Sequence, residues 1–314
     1  MKRKLAVVAV GGNALISGQG KESIPDQYTA ACTAMAQIVS IIQAGWDVII
    51  THGNGPQVGF ILRRSELTEH ELFTIPLDHC GANTQGSIGY MLQMALINEF
   101  RRRGMKNHAA TVVTETLVDK NDPAFSSPTK PIGSFMDIRA ARIRRDHDGW
   151  NVVEDAGRGW RRVVPSPAPV RIVQQDVILT LARAGYTVIG VGGGGIPVVE
   201  NEAGGLAGVE AVIDKDRASA LLAHGVRADL LLISTDVEKV AVDFNRPNVR
   251  WLDRLSLEEA RRYLAQGQFG KGSMEPKIEA ALDFLEHGGQ HVIITNLENM
   301  LRALINLTGT HILA

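Results

Sequence analysis

Short runs of consecutive apolar, often β-branched residues alternate along this chain with longer stretches whose apolar positions recur every three or four residues. The first pattern predicts strands at Leu5–Val10, Val48–Thr51, Ala109–Thr114, Thr187–Val191, Leu230–Ser234 and Val292–Thr295. The second predicts helices over Asp26–Gln43, Pro56–Glu66, Thr84–Arg103, Asp176–Ala184, Asp214–Ala223, Ser256–Ala265 and Pro276–His287. Punctuation agrees with these bounds: Pro25 opens the first helix and Gly45 follows it, and Ser256-Leu257-Glu258-Glu259 has the form of a capping box. Strands that are apolar on both faces and separated by helices belong in a mostly parallel sheet covered on each side, so the chain reads as an α/β protein.

The rhythm breaks between Pro131 and Pro169. Arg139, Arg142, Arg144 and Arg145 read there as a solvated helix face. Trp150–Glu154 and Trp160–Val164 read as two exposed strands around Ala156–Gly159, a candidate hairpin closed by Pro165, Pro167 and Pro169. We expect one domain over 1–314 with an inserted lid at 131–169; a plain surface excursion is the alternative, and composition does not separate the two.

Charge narrows the partners. The net charge of -1 provides no global field for nucleic acid or an anionic membrane. No apolar run approaches the ~20 residues that span a bilayer. Cys32 and Cys80 form no zinc framework and fit a reducing cytoplasm. Leu5–Val10 is too short for a signal sequence and ends at Gly11-Gly12-Asn13 with no cleavage pattern.

Three glycine clusters follow predicted strands: Gly11-Gly12-Asn13-Ala14, His52-Gly53-Asn54-Gly55, and Gly192-Gly193-Gly194-Gly195. Ligands bind where parallel strands end. Glycine lets backbone N–H groups approach an anion, and a following helix N-terminus favours negative charge. A single cluster is explained equally by a tight turn; three on one sheet edge point to a phosphate site. The usual nucleotide loops are missing. Gly270-Lys271-Gly272-Ser273 resembles the end of a P-loop, but Gly272 follows Lys271 and Ala265 holds the first glycine position.

Asp214-Lys215-Asp216 opens a predicted helix. Capping explains Asp214, but a cation at Lys215 opposes the helix dipole and makes sense if it is held against phosphate, with Asp216 orienting it. Lys277 has the same unfavourable place in its helix, with Glu275 as an alternative neutralising partner. Lys130, at the mouth of the insertion, is by itself a solvent lysine. Phosphoryl transfer needs cations around the moving group and little covalent chemistry from the protein. Two other signals carry less: the double glycine in His287-Gly288-Gly289-Gln290-His291 disfavours a helical metal pair, and Cys80 beside His79 suits a pocket wall better than a nucleophile.

In their order, these motifs resemble the carbamate kinase family of the amino-acid kinase superfamily. The resemblance runs from Val10-Gly11-Gly12-Asn13-Ala14 through Pro76-Leu77-Asp78, Thr84 to Tyr90, Pro128 to Gly133 and Glu154 to Arg161. It continues over Gly192 to Val198 and Gly208 to Asp216, and ends at Gly272 to Ala281. It implies a three-layer α/β/α sandwich with a protruding lid, a homodimer, and reversible transfer between ATP and carbamate with Mg²⁺, no metal being held by the protein itself. By position it implies that Lys130, Lys215 and Lys277 surround the phosphoryl group with Asp216 organising them. Gly11, Gly12, Asn13, Gly53, Asn54, Gly55, Gly194 and Gly195 would bind substrate and phosphate. Asp214, Thr235, Asp236, Val237 and Met274 would hold the nucleotide. The physiological direction implied is ATP synthesis, in arginine, allantoin or purine catabolism. Glu238, Lys271 and Gly81-Ala82-Asn83 depart from the family pattern. Two other readings stay open: a kinase for another small carboxylate, and a nucleotide-binding sensor without catalysis.

Overall fold

The structure is a computed structural model that describes residues 3–16, 20–155, 159–244 and 246–314, leaving aside the side chains of Asn13 and Ala14. Among the described residues the main sheet has eight strands, in the order Arg254–Ser256, Thr310–Leu313, His291–Asn296, Leu230–Thr235, Lys4–Val10, Trp46–His52, Tyr186–Ile189 and His108–Thr111. Every pairing is parallel except that of His291–Asn296 with Thr310–Leu313. Alternate residues of the central strands face two separate cores. Ala6, Val8, Ile50, Leu230 and Leu232 pack with helices α1 (Ile24–Gln43), α3 (Leu77–Arg102) and α9 (Met300–Leu304). Val7, Ala9, Ile49, Leu231 and Ile233 pack with α5 (Gln175–Arg183), α6 (Lys215–Gly225), α7 (Leu257–Ala265) and α8 (Glu275–Glu286). That alternation is the period of a strand buried on both sides, and it gives the expected three layers.

Local chemistry sets the ends of these elements. Ser256 and Glu259 complete the capping box of α7. Asp214 caps α6, accepting from the N–H groups of Asp216 and Arg217. Helix α3 begins seven residues before the expected Thr84, with Pro76 at its N-cap, and it contains Gly81, Gly86 and Gly89. Gly81 blurred the periodic signal in the missed first turns, and Gly89 has a packing reason: a Cβ there would clash with Thr111 Cγ2 on the edge strand. The expected strand Ala109–Thr114 is shorter: His108–Thr111 lies in the main sheet, and a further strand, Glu115–Val118, joins a second sheet with Leu206–Gly208, Ile196–Glu200 and Pro169–Ile172. Thr310–Leu313 escaped notice because only three residues beyond the Gly309 turn are apolar or aromatic.

The excursion from the main layers is a three-stranded sheet of Lys130–Met136, Trp160–Val164 and Val152–Glu154, with α4 (Ile138–Asp148) between its first two members in sequence. Its expected end at Pro169 lies in the next sheet. Residues 156–158 of the anticipated hairpin turn are outside the described residues, but the flanking strands pair antiparallel. Arg139, Arg142 and Arg145 face solvent on α4. Arg144 does not: it bonds Asp148 at 2.8 Å and lies over Trp150, with Arg162 on the same ring. Helix α2 (Gly55–Leu67) packs on this excursion, since a Cβ at Gly59 would lie 3.3 Å from Gly133 Cα of its first strand.

The close approach of α3 to the edge strand is testable. Gly89→Ala should lower the unfolding free energy by ~1–3 kcal/mol in urea titrations. Adding Thr111→Ala should restore most of that loss, because the clashing methyl is gone and alanine favours the helix by about 1 kcal/mol over glycine. Equal loss in the single and double variants would contradict the contact.

Candidate functional site

The strands Lys4–Val10, Trp46–His52, Tyr186–Ile189 and Leu230–Thr235 all end on one edge of the sheet, and the three glycine loops lie there side by side. Gly53 donates its N–H to Val10 O, and a Cβ on Gly53 would meet Gly12 N at 2.7 Å, so these two loops touch backbone to backbone. A Cβ on Gly193 would meet the Asn54 amide, and one on Gly11 would lie 3.5 Å from Ser234 O. The Asn54 amide donates to Thr84 Oγ1 at 2.8 Å, which leaves the first turn of α2 without a side-chain cap facing the loops. Gln85 fixes the third loop: it accepts from Thr114 N and donates to Thr114 O and Gly192 O.

Gly194 and Gly195 do not supply free donors. Their N–H groups bond Val191 O and Gly192 O within the turn, at 3.1 Å each. Their positive φ angles of 93° and 91°, and the lack of room beside Ile213 and Thr116, are what require glycine. The pair thus has a shaping role in this loop, beside the phosphate-binding role expected from the motifs. The side chain of Asn13 lies outside the description; its backbone belongs to the short turn Gly12–Leu15 that follows the first strand.

Charged residues close the site. The buried Asp216 carboxylate, in the first turn of α6, accepts from Lys215 Nζ on one oxygen and from Lys277 Nζ at 3.0 Å on the other. Lys277 stands in the first turn of α8, so its ion pair is with Asp216 and not with the neighbouring Glu275. The Lys215 stem passes within reach of Gly53, since a Cβ there would be 3.3 Å from Lys215 Cδ. Ser219 anchors this turn by donating to Lys215 O and sharing a 2.6 Å hydrogen bond with Thr51.

Lys130 is not organised by Asp216. It begins the first lid strand and donates to Asp214 Oδ2 at 2.9 Å. Asp214 thus caps α6 with one oxygen and holds Lys130 with the other. Burial would raise the Asp214 carboxyl, but the charge and hydrogen bond of Lys130, the charge of Lys215 and the Asp216 N–H outweigh it and hold it at about 2. Three ammonium groups against two carboxylates leave one net positive charge at the loops.

Thr235, Asp236 and Val237 leave the end of the strand Leu230–Thr235, and Met274 is the N-cap of α8, so both expected nucleotide segments flank the cluster. Glu238 turns away from it: its carboxylate takes the Thr308 hydroxyl and its carbonyl the Thr295 hydroxyl. Lys271 is exposed in the turn before α8. Cys80 is fully buried, and burial, with Glu210 and Asp78, pushes its thiol up to about 11, which suits packing and not nucleophilic attack. Among the described residues no three His, Cys, Asp or Glu side chains gather as a metal-binding group, and no helix is long and apolar enough to cross a membrane.

Comparison with known proteins decides the family. The model of the amino acid kinase family matches residues 4–296. A carbamate kinase of Thermococcus kodakarensis is 47% identical over 313 residues, 98% of this chain and 99% of its own. The chain belongs to the amino acid kinase family, in its carbamate kinase branch. A carbamate kinase-like protein of Escherichia coli, YahI, is 48% identical over 314 residues, with 99% of each chain covered. The solved carbamate kinase from Giardia lamblia bound to AMP-PNP superposes with a TM-score of 0.93 at 41% identity, covering 99% of this chain and 98% of that one. The three-layer fold and kinase class expected from the motifs are those of the family.

Sequence reasoning gave no role to His52, Gln85, Thr51 or Ser219. A buried polar residue within an apolar strand or helix face was the available signal for each. His52 is enclosed beside Gly192, with Nδ1 3.0 Å from Gly53 O, and burial lowers it to about 4. His291 is lowered to about 4 by burial, then by the charges of His311 and Lys4. Both are below the unfolded value near ~6.5. From pH 6.5 down to 4 the unfolded chain therefore binds protons that the folded chain refuses, and stability falls with pH. For a fully buried group such as His52 the slope is at most ~1.4 kcal/mol per pH unit. Urea midpoints measured from pH 7 to 5 should decline, and His52→Gln should flatten the decline. An unchanged slope in that variant would contradict the buried neutral imidazole.

Proposed function

We propose that this kinase transfers a phosphoryl group reversibly between ATP and carbamate, giving ADP and carbamoyl phosphate. The observation that carries the reading is the Asp216 carboxylate holding Lys215 and Lys277 together against the Gly12 and Gly53 loops. Full-length relatives named carbamate kinase support the choice of acceptor.

The chemistry follows from charge. Donor and acceptor are both anions, so the barrier is repulsion between them and the charge that spreads over the equatorial oxygens in the transition state. Lys215 and Lys277 are pre-aimed by one carboxylate, so little reorganisation is needed when charge develops. Lys130 adds a third ammonium from the lid and couples lid position to the site through Asp214. The acceptor already carries a nucleophilic oxyanion, so no general base is needed. Mg²⁺ bound with the nucleotide would screen the phosphate charge; Asp214 and Asp216 are both engaged by lysines.

An acyl phosphate donates its phosphoryl group more readily than ATP, so we propose net ATP formation, in the cytoplasm, during arginine, allantoin or purine breakdown. A homodimer joined at the sheet edge completes the proposal, supported by exposed Tyr90, Val113 and Tyr186 around the edge strand His108–Thr111.

The test is ATP formation from ADP, Mg²⁺ and carbamoyl phosphate, with acetyl phosphate as the comparison. Rapid ATP formation specific to carbamoyl phosphate is expected. Lys215→Ala and Lys277→Ala should each lower kcat by ~10²–10³, far more than the loss of a buried ion pair lowers the folded population at assay temperature. Preference for acetyl phosphate would move the acceptor to another acid; near-normal turnover in either variant would refute the lysine assignment.

A further inference from the structure

The ends of α6 and α8 remote from the lysines carry two histidines. His224 lies in the last turn of α6 and His287 is the C-cap of α8. Sequence spacing would pair His287 with His291, but His291 turns away and bonds His311 at 2.9 Å. The neighbour of His287 is instead His224, with ring centroids 5.1 Å apart and planes inclined by 44°. Both residues are exposed beside a cavity of about 540 Å³.

We propose that His224 and His287 form a two-imidazole site for a nitrogen-seeking divalent cation such as Zn²⁺, which clasps the far ends of α6 and α8. Two imidazoles bound to one tetrahedral Zn²⁺ at ~2.0–2.1 Å place their ring centroids about 5 Å apart, the separation found here. The His287 tautomer suits ligation: Nδ1 bonds Asp283 O at 2.8 Å, with Asp283 Oδ1 at 3.3 Å, leaving the Nε2 lone pair free. A ligand histidine held through its other nitrogen in this way is the usual arrangement at metal centres. Helix C-termini attract cations, and two of them meet here.

Asp229 lines the same cavity and adds negative charge, whereas Arg227 opposes a cation. The balance favours an ion bound by imidazole over Mg²⁺ or Ca²⁺, which prefer oxygen. With no third His, Cys, Asp or Glu gathered there among the described residues, water completes the coordination, and the cavity has room for it.

Zn²⁺ titrated into the full-length protein by calorimetry, with thermal unfolding in parallel, tests the site. One site per chain is expected, together with a rise in Tm. In His224→Gln and in His287→Gln the affinity should fall about tenfold or more and the rise in Tm should vanish. Mg²⁺ should give neither signal, and His70→Gln, at an exposed histidine elsewhere, should keep both. Turnover without Zn²⁺ should equal the wild type in both site variants, which establishes their folding independently of the metal. Unchanged Zn²⁺ affinity and Tm response in the double variant would overturn the proposal, as would absence of Zn²⁺ binding by the wild type.

Discussion

One carboxylate holds two cations here. Asp216 is almost fully buried, and each of its oxygens takes a lysine, Lys215 from its own helix and Lys277 from α8. Removing either partner would leave charge uncompensated in a site shielded from water, which is costly. The pair also conflicts with the dipoles of both helices, since an ammonium sits in each first turn. Asp216 offsets that conflict in the resting enzyme, and anionic substrate offsets it further. The cluster is therefore stable enough to exist and, with Lys130 and Asp214 counted, keeps one net positive charge, on which the proposed binding of phosphate rests.

The rest of the architecture serves this arrangement. A sheet buried on both faces brings four strand ends to one edge, and glycine at Gly12 and Gly53 allows their loops to touch. Thr51 and Ser219 tie the first turn of α6 to the neighbouring strand. Asp214 joins the helix start to the excursion strand Lys130–Met136 through Lys130.

Much of this was legible in the sequence, for physical reasons. Short apolar runs rich in β-branched residues, such as Val292–Thr295, favour strands buried on both faces, and a lysine at a helix start demands an explanation, which led to Lys215 and Lys277. What local patterns could not show were contacts across long sequence separations. Lys130 and Asp214 are brought together only by the lid, and His224 and His287 only by the packing of α6 on α8. Gly194 and Gly195 show another limit: their positive φ angles and the packing on Ile213 and Thr116 require glycine for a reason that the sequence does not display. Helix α3 was underestimated only in its first two turns, where Gly81 interrupts the periodic pattern.

The most direct test of the account is steady-state kinetics of Asp216→Asn, which keeps the shape of the side chain and removes the charge that aligns the two lysines. The account predicts a fall in kcat of ~10²–10³ with ADP still bound and the fold intact by circular dichroism. Turnover within a few-fold of the wild type would show that the lysines are positioned without Asp216, and would contradict the central claim.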